Sequence, residues 1–508
     1  MKSRSVRKLI LNLSLVVALL VSLGGWILAS PVGSDPDGQF HLSSIWCGSG
    51  YSPAQCEAPN ADSQDLIPKA VMVPTGVALA GTCNSYKPDY SASCSDELLN
   101  NHDMQLTQFN NEGQLYPNVY YFVASKLVSS QIARSALFIR LMNVLLFILL
   151  VSVLWQLAPS DLREGVGLTL ATFLLPLGLF MIASNNGSSW TITGVSVYWA
   201  FLAIYLTSAK RFTWVSAGVF AGISAIMAAG SRADGAVFIL MSTAVAVAVA
   251  IGRYHFSFRE KWARLVLPLT VVAYAVFMYF SSNQRGAITN GLAGAENIGR
   301  DSFDAFFFNI LRLPALYMGA LGVRGGVGDL GWLDTSMPEL VAGPVLVTAI
   351  GLVLFSLKRR SLWERLALLA CVLSLIVIPL AMLHMDNAVV GELVQARYLL
   401  PLLLVTSGVT LSGPLPEGAK PLARKLRMVF LLMLVVANSV ALHTTMRRYI
   451  TGNDVLSWNL NSKAEWWWPD GPQPMIVWSL GSLSFAFIVG YLMWTIGQKS
   501  ANVSLSET

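Results

Sequence analysis

Charged residues are scarce in this 508-residue sequence. Asp, Glu, Lys and Arg make up 12% of the chain, whereas hydrophobic residues make up 54%. Soluble domains usually contain about 25% charged residues, so the composition excludes an ordinary water-soluble protein. The sequence also has no Walker-type phosphate loop, no HExxH motif, no GxGxxG motif after a strand and no internal repeat. The sequence therefore gives no indication of a cytoplasmic nucleotide-binding domain. Any chemistry is expected on the outer side of the membrane.

Apolar runs long enough to cross a bilayer recur along most of the chain. A hydrocarbon core of about 30 Å needs roughly 20 apolar residues, and only a helix satisfies its own backbone there. We predict an all-α polytopic membrane protein with about twelve transmembrane helices. The first apolar run is interpreted as an uncleaved anchor, because it is longer than a signal-peptide core and contains Trp26. The predicted spans are 9–29, 134–157, 165–183, 190–207, 213–229, 235–252, 263–281, 340–357, 366–383, 398–411, 429–442 and 476–496.

Basic residues cluster before the first run and in alternate short loops, and this indicates the orientation. The loop clusters lie at 210–211, 253–264, 358–365 and 420–427. Cytoplasmic loops retain Lys and Arg, so both termini are predicted to be cytoplasmic. The predicted division is 1–30 (N-terminus and first helix), 31–133 (first outer loop), 134–281 (helices 2–7), 282–339 (second outer loop), 340–442 (helices 8–11), 443–475 (third outer loop) and 476–508 (last helix and tail). The basic balance reflects topology and does not indicate nucleic-acid binding.

Cysteine is rare, and four of the five lie in the first outer loop. Four thiols allow three pairings, and proximity in sequence favours Cys47 with Cys56 and Cys83 with Cys94. Metal ligation by these four cysteines is the alternative, although their spacing is wide and irregular for a zinc site.

Two carboxylates and an imidazole follow the first span within seven residues, at Asp35, Asp37 and His41. One interpretation is an Asx-Pro turn that ends a helix in polar residues. The other is a catalytic edge, because a carboxylate can take a proton from an incoming hydroxyl and a neighbouring carboxylate raises its basicity. The tryptophans at 466–468 leave a similar choice between an interfacial aromatic belt and a platform for a sugar face.

These residues resemble the GT-C superfamily of membrane glycosyltransferases, and in particular a large, poorly characterised bacterial family. The first outer loop of that family opens with Pro-Asp-Glu-x-x-His, and this chain has Pro-Asp-Gly-x-x-His at 36–41, with Gly38 in place of Glu. Other elements are similar in the same order: Tyr-Pro-Asn-Val-Tyr-Tyr at 116–121, Asn-Gly-Ser at 186–188, Gly-Trp-Leu-Asp-Thr-Ser-Met-Pro at 331–338 and Gln-Ala-Arg-Tyr-Leu-Leu-Pro at 395–401.

The resemblance implies inverting hexosyl or pentosyl transfer from a polyprenyl-phosphate-linked sugar donor to a cell-envelope glycan, lipid or protein on the outer face of a bacterial cytoplasmic membrane. In that interpretation Asp37 is the base, assisted by Asp35 and His41, while Arg397 and Tyr398 bind the donor phosphate. Arg397 could instead be an interfacial anchor. Membrane lipids are partners in either case. Possible cavity-lining residues are Asn186, Arg232, Asp234, Trp332 and Asp334.

Several alternatives stay open at the level of sequence. Some members of the resembling superfamily use a divalent cation. Gly38 in place of Glu removes one oxygen ligand for such a cation, so no metal or other cofactor is assigned. The number of spans also fits a transporter or lipid-linked-saccharide flippase. The main intramembrane charge, Arg140, is close enough to the outer end of its span to extend to water. The missing Glu also fits an inactive relative or a scaffold.

Overall fold

The computed structural model describes residues 2–59, 67–259, 261–283, 301–323, 328–356, 360–385, 387–392, 394–412 and 420–504. Side chains are not described for 2–9, 355, 420–424 and 497–504. Parts of the second outer loop (284–300 and 324–327) and the basic residues Lys358 and Arg359 lie outside the described residues.

Helices dominate the described part of the chain. They are α1 (Lys2–Leu28), α2 (Gly38–Trp46), α3 (Thr75–Ala78), α4 (Cys94–Leu99), α5 (Val119–Ser125), α6 (Ile132–Leu157), α7 (Ser160–Phe173), α8 (Leu177–Ile182), α9 (Ser188–Thr207), α10 (Arg211–Ser231), α11 (Ala233–Tyr254), α12 (Val266–Ser281, preceded by a 3₁₀ turn at Trp262–Leu265), α13 (Ser302–Ala320), α14 (Glu339–Phe355), α15 (Leu362–Met385), α16 (Ala396–Leu411), α17 (Lys420–Ile450) and α18 (Pro474–Ser504).

Nine stretches in the described part of the chain are long and apolar enough to cross a membrane. They are Ile10–Leu28, Ile132–Leu157, Ser188–Thr207, Arg211–Ser231, Ala233–Tyr254, Trp262–Ser281, Leu362–Met385, Lys425–Ile450 and Pro474–Ile496. The predicted spans at 340–357 and 398–411 coincide with the shorter apolar helices Glu339–Leu354 and Ala396–Leu411. The predicted count of twelve is therefore not confirmed, whereas a polytopic helical architecture is.

The predicted span at 165–183 is divided into two helices. α7 ends at Phe173 and α8 begins at Leu177. Pro176 lies at this break, where its ring cannot continue the hydrogen-bonding pattern of a helix. The apolar run is thus continuous in sequence but not in structure.

One helix lies at the centre of the bundle. The most apolar window of α9 is 94% buried, and α9 packs against α10, α11 and α16. A second group of helices includes α1, which packs against α18 and α6, while α17 packs against α14 and α18. α17 continues to Ile450, beyond residue 442, where the predicted span ends.

The segment predicted to be the first outer loop, 31–133, contains the only paired β-strands in the described residues. Strands β1 (Val71–Pro74) and β2 (Met104–Thr107) pair antiparallel, with Val71 opposite Thr107, so the chain is not purely α-helical. Disulfides join Cys47 to Cys56 and Cys83 to Cys94. The pairing favoured from sequence proximity is confirmed.

Candidate functional site

The segment after α1 turns sharply at Asp37. This residue precedes α2 in the left-handed region, with φ 60° and ψ 26°. Asp tolerates this region better than most residues, but a non-glycine residue there still costs about 1–3 kcal/mol. The turn leaves the Asp37 side chain 47% exposed. A carboxylate is thus held at the surface by a backbone conformation that the surrounding contacts must enforce.

Arg397, the second residue of α16, meets this carboxylate. Its Nη2 donates to Asp37 Oδ2 at 2.5 Å and to the Tyr398 hydroxyl at 3.2 Å, and its Nη1 donates to the carbonyl of Pro36 at 3.2 Å. Asn186 Nδ2 donates to the same Pro36 carbonyl at 2.9 Å. The guanidinium is only 2% exposed, so its charge depends on Asp37 for compensation. Two segments distant in sequence, one at Asn186 and one at Arg397, therefore fix the Asp37 turn.

A second guanidinium lies beside the first. Arg232, between α10 and α11, forms a bidentate ion pair with Asp234, with Nε at 2.9 Å from Oδ1. Its Cζ lies 4.9 Å from the ring centroids of both Tyr116 and Tyr398. Its Nη1 is buried and has no hydrogen-bond partner among the described residues. We call Asp37, Arg397, Tyr398, Arg232 and Tyr116 the Asp37 cluster.

His41 contributes a neutral ring rather than a charge. It is 1% exposed, and its Nδ1 lies 2.9 Å from the Tyr121 hydroxyl. The ring stacks against Tyr116 and Tyr121 at centroid distances of 5.8 and 6.0 Å. Burial, assisted by the positive charges of Arg397 and Arg232, lowers the pKa of His41 to about 3. The imidazole therefore packs against Tyr116 of the Asp37 cluster. It does not supply a cation for a phosphate.

Asp35 and Asp37 occupy opposite environments although one residue separates them. Asp35 is fully buried, and neither carboxylate oxygen has a hydrogen-bond partner in the described part of the chain. Burial raises the pKa of Asp35 to about 6. Burial would also raise the pKa of Asp37, but the charge and hydrogen bond of Arg397, together with smaller contributions that include the charge of Arg232, lower that pKa below its ordinary value. Asp37 is the accessible carboxylate of the pair.

The segment at 331–338 adjoins the same turn from the other side. Trp332 Nε1 donates to the carbonyl of Gly33 at 2.8 Å. Asp334 Oδ2 accepts from Arg448 Nη2 at 2.9 Å, and this ion pair is almost entirely buried. Asp334 is therefore bound beneath the surface, whereas Trp332 holds the chain before Asp37. The described residues contain no group of three or more His, Cys, Asp or Glu placed to hold a metal ion.

A family model for predicted membrane proteins, DUF2142, matches residues 20–406. This range contains every residue of the Asp37 cluster and covers most of the 508-residue chain. The chain belongs to the DUF2142 family. No curated protein and no solved structure was found to match it.

In this DUF2142 protein the glycine that replaces the expected Glu is tightly enclosed. A Cβ added at Gly38 would lie 2.5 Å from the carbonyl oxygen of Gly33 and 2.8 Å from its Cα. Gly33 itself has φ 77° and packs against Ala80. No side chain fits at position 38 without a backbone shift. The buried Asp35 does not present a second carboxylate at the surface in its place.

Two features near the site of this DUF2142 protein were not predicted from the sequence: the exposed position of Tyr86 and the burial of Arg140. Tyr86 is 68% exposed, packs edge-on against Trp332 at 5.6 Å and lies within the electrostatic influence of Asp37. Its left-handed backbone, φ 59°, could not be read from sequence. Arg140 was expected to extend to water, but it is 1% exposed. It donates to the carbonyls of Ile27, Ser30 and Pro31 at 2.6–2.9 Å, which ties the end of α1 to α6.

The tryptophans at 466–468, for which an interfacial belt and a sugar platform were both considered, do not form an exposed aromatic surface. Trp466 and Trp468 are buried, and Trp468 Nε1 donates to the carbonyl of Leu28 at 2.9 Å. Trp467 is partly buried, and its Nε1 donates to the carbonyl of Pro472. The exposed aromatic ring beside the Asp37 cluster is Tyr86 instead.

Proposed function

We propose that this protein is a GT-C-type membrane glycosyltransferase that moves a hexosyl or pentosyl group from a polyprenyl-phosphate donor to a cell-envelope acceptor. The observation that carries the proposal is the contact between Asp37 and Arg397, at 2.5 Å. It places a partly exposed carboxylate, able to accept a proton, against a guanidinium, able to bind a phosphate. Both lie at the ends of apolar helices, where a lipid-borne donor would present its head group.

On the donor side, Arg397 would bind the phosphate of the donor. Its Nη2 now donates to Asp37, so an incoming phosphate oxygen would replace the carboxylate as the acceptor of that hydrogen bond. Arg232 adds a second guanidinium, whose Nη1 is already without a partner among the described residues. Both side chains are held in place by Tyr398, which limits the entropy that phosphate binding would cost.

Donor binding would also prepare the base. The charge of Arg397 keeps the pKa of Asp37 low in the free protein. Once the donor phosphate shares that charge, the pKa of Asp37 rises and the carboxylate becomes a better acceptor for a hydroxyl proton. The pair would thus couple phosphate binding to activation of the acceptor.

The reaction would be a single displacement. The acceptor hydroxyl gives its proton to Asp37 while its oxygen forms a bond to the anomeric carbon of the sugar. The bond from that carbon to the phosphate oxygen breaks, and the phosphate leaves with the electron pair as an anion next to Arg397 and Arg232. Attack from the side opposite the leaving group inverts the anomeric configuration.

The proposal includes a topology. The two shorter helices, and α7 with α8 acting as one broken span, would complete about twelve crossings. The basic loops would lie in the cytoplasm, and the first outer loop would lie outside. A bacterial cytoplasmic membrane with both termini inside is the arrangement that this orientation supports.

Incubation of the purified protein with a panel of radiolabelled polyprenyl-phosphate sugars and cell-envelope acceptors tests the proposal. We expect label to move from the lipid to the acceptor, with release of polyprenyl phosphate in equal amount. Flux of an intact lipid-linked sugar across proteoliposomes, with no covalent product, would instead support the transporter or flippase alternative.

A further inference from the structure

An apolar cavity lies among four helices, and none of its lining residues belongs to the Asp37 cluster. It has a volume of about 140 Å³ and is lined by α1, α6, α7 and α18, with Leu179 of α8. The lining of α1 runs from Asn12 to Leu23. At 1.5 Å per residue this is about 16 Å, or roughly half of a bilayer's hydrocarbon core. The length of the cavity along α1 therefore matches the hydrocarbon thickness of one leaflet.

The two ends of the cavity differ in polarity. Leu23, Leu174 and Phe485 mark the more apolar end, where Ser22 also lines the cavity, whereas Asn12, Gln156 and Arg163 mark the other. The polar end is thus formed by the first half of α1, the last turn of α6 and the first turn of α7. In the topology proposed above, all of these segments lie on the cytoplasmic side.

Arg163 is the charged side chain of this lining, and no acidic residue lies among the described residues that line the cavity. Its Nη2 donates to the carbonyl of Ala158 at 2.9 Å, while its Nε has no hydrogen-bond partner in the described part of the chain. The nearest carboxylates in sequence are engaged elsewhere: Glu164 pairs with Arg427, and Asp161 pairs with Arg253. Among the described residues, the positive charge of Arg163 is therefore not matched by an ion pair.

Aromatic side chains surround this end of the cavity. The Arg163 guanidinium lies 5.7 Å from the Trp155 ring, which lies 6.0 Å from Tyr491. Tyr491 in turn contacts Trp494, which is 48% exposed. Trp and Tyr concentrate at the level of lipid head groups. The arrangement places a cation at head-group depth and an apolar cavity below it.

We infer that this cavity binds one acyl chain of an anionic phospholipid from the cytoplasmic leaflet, with the phosphate held by Arg163. A basic pocket between helices on the cytoplasmic side is the kind of site that binds anionic lipid head groups. The apolar lining gives no preference among lipids, because every phospholipid offers an acyl chain. Selectivity for an anionic head group rests on Arg163, since a zwitterionic head group carries a compensating cation.

The test uses the full-length protein in detergent with equal amounts of phosphatidylglycerol and phosphatidylcholine of identical acyl chains. Bound lipid is identified by native mass spectrometry. We expect phosphatidylglycerol to be favoured about five-fold, the ratio that corresponds to ~1 kcal/mol for one basic residue near an anionic lipid. R163Q should remove the preference, whereas R163K should retain most of it. R134Q is the matched control, because Arg134 is exposed at the opposite end of α6.

A second variant tests the location of the acyl chain. Ala171 lines the cavity, and A171F fills it without changing the charge. This variant should lose bound phospholipid of both kinds while its helical circular dichroism stays unchanged. Equal binding of the two lipids by the wild-type protein, or an unchanged preference in R163Q, would overturn the inference. So would full retention of phospholipid by folded A171F.

Discussion

The Asp37 carboxylate and the Arg397 guanidinium are 360 residues apart in sequence and 2.5 Å apart in the structure. Their contact joins the start of the first outer loop to the start of α16. The Pro36 carbonyl strengthens the junction, because it accepts from both Arg397 and Asn186. Three segments that the sequence presents as separate motifs thus form one site.

Replacement of Arg397 should weaken use of the donor more than use of the acceptor. A hydrogen bond to a charged group contributes about 1.5–3 kcal/mol, so R397A should raise the apparent KM for the lipid-phosphate donor by roughly 10- to 150-fold. R397K should recover part of the loss, because it keeps the charge but not the bidentate geometry. Initial rates at varied donor concentration measure the effect.

The matched control for this prediction is R312A. Arg312 is an exposed arginine of the apolar helix α13, and its guanidinium lies 5.5 Å from the Phe308 ring. It should leave the donor KM unchanged. A donor KM for R397A equal to that of the wild-type protein would favour the interfacial-anchor interpretation of Arg397.

Any side chain at position 38 should destabilise the first outer loop. The Cβ of G38A would lie 2.5 Å from the Gly33 carbonyl oxygen, and overpacking of this kind typically costs 1–3 kcal/mol. G38E, which restores the residue of the resembling family, should be at least as unstable. G222A is the control, because a Cβ at Gly222 meets nothing within 4 Å. Thermal unfolding in detergent compares them, and an equally stable G38E would contradict the packing account.

Removal of the buried charge at Asp35 should stabilise the protein above pH 6. The folded-state pKa of about 6 exceeds the ordinary 3.8, so the folded state binds more protons between these values. Stability therefore falls as the pH rises through this window. A pKa difference of this size corresponds to roughly 3 kcal/mol of folding stability. D35N should recover that stability.

Melting temperatures in detergent between pH 4 and pH 8 measure this effect. D35N should melt above the wild-type protein at pH 7.5, and the two should converge towards pH 4. The control is D103N, because Asp103 is exposed on the same loop. A lower melting temperature for D35N at pH 7.5 would show that the ionised carboxylate has a partner.

Much of the fold follows from patterns that are local in sequence. Length and hydropathy predict α6, α9 and α11 within a few residues, since a helix in lipid needs only its own backbone partners. Proximity was enough to pair the cysteines, because Cys47 and Cys83 each bond to a cysteine within 11 residues. The motif at 36–41 and the motif at 395–401 were both identified, although their contact was not.

What could not be predicted depends on tertiary contacts. Arg140 had the appearance of a charge near a helix end, and only the positions of the Ser30 and Pro31 carbonyls explain its burial. In the sequence, Gly38 was interpreted as the loss of a metal ligand. In the structure, the backbone of Gly33 approaches so closely that packing requires a glycine at position 38. Tyr86 has no motif at all, since its exposure follows from the path of a disulfide-closed segment.

Tyr86 should contribute to binding of a carbohydrate acceptor. An exposed aromatic ring beside the Asp37 cluster offers a stacking surface, and aromatic contacts contribute about 0.5–1.5 kcal/mol beyond area burial. Y86A should therefore raise the acceptor KM by roughly 2- to 12-fold with the donor KM unchanged, and Y86F should behave like the wild-type protein. Y90A is the control, because Tyr90 is 66% exposed on the same segment. Equal effects of Y86A and Y90A would remove Tyr86 from the acceptor site.

The most direct test of the account is transfer by D37N under single-turnover conditions with saturating donor and acceptor. Loss of a general base costs about 10²–10⁴ in rate, and the asparagine cannot take the hydroxyl proton. We expect D37N to lose transfer by at least this lower factor while it keeps wild-type expression, both disulfides and donor binding. D103N should transfer sugar at the wild-type rate. Wild-type transfer by D37N would contradict the assignment of Asp37 as the base.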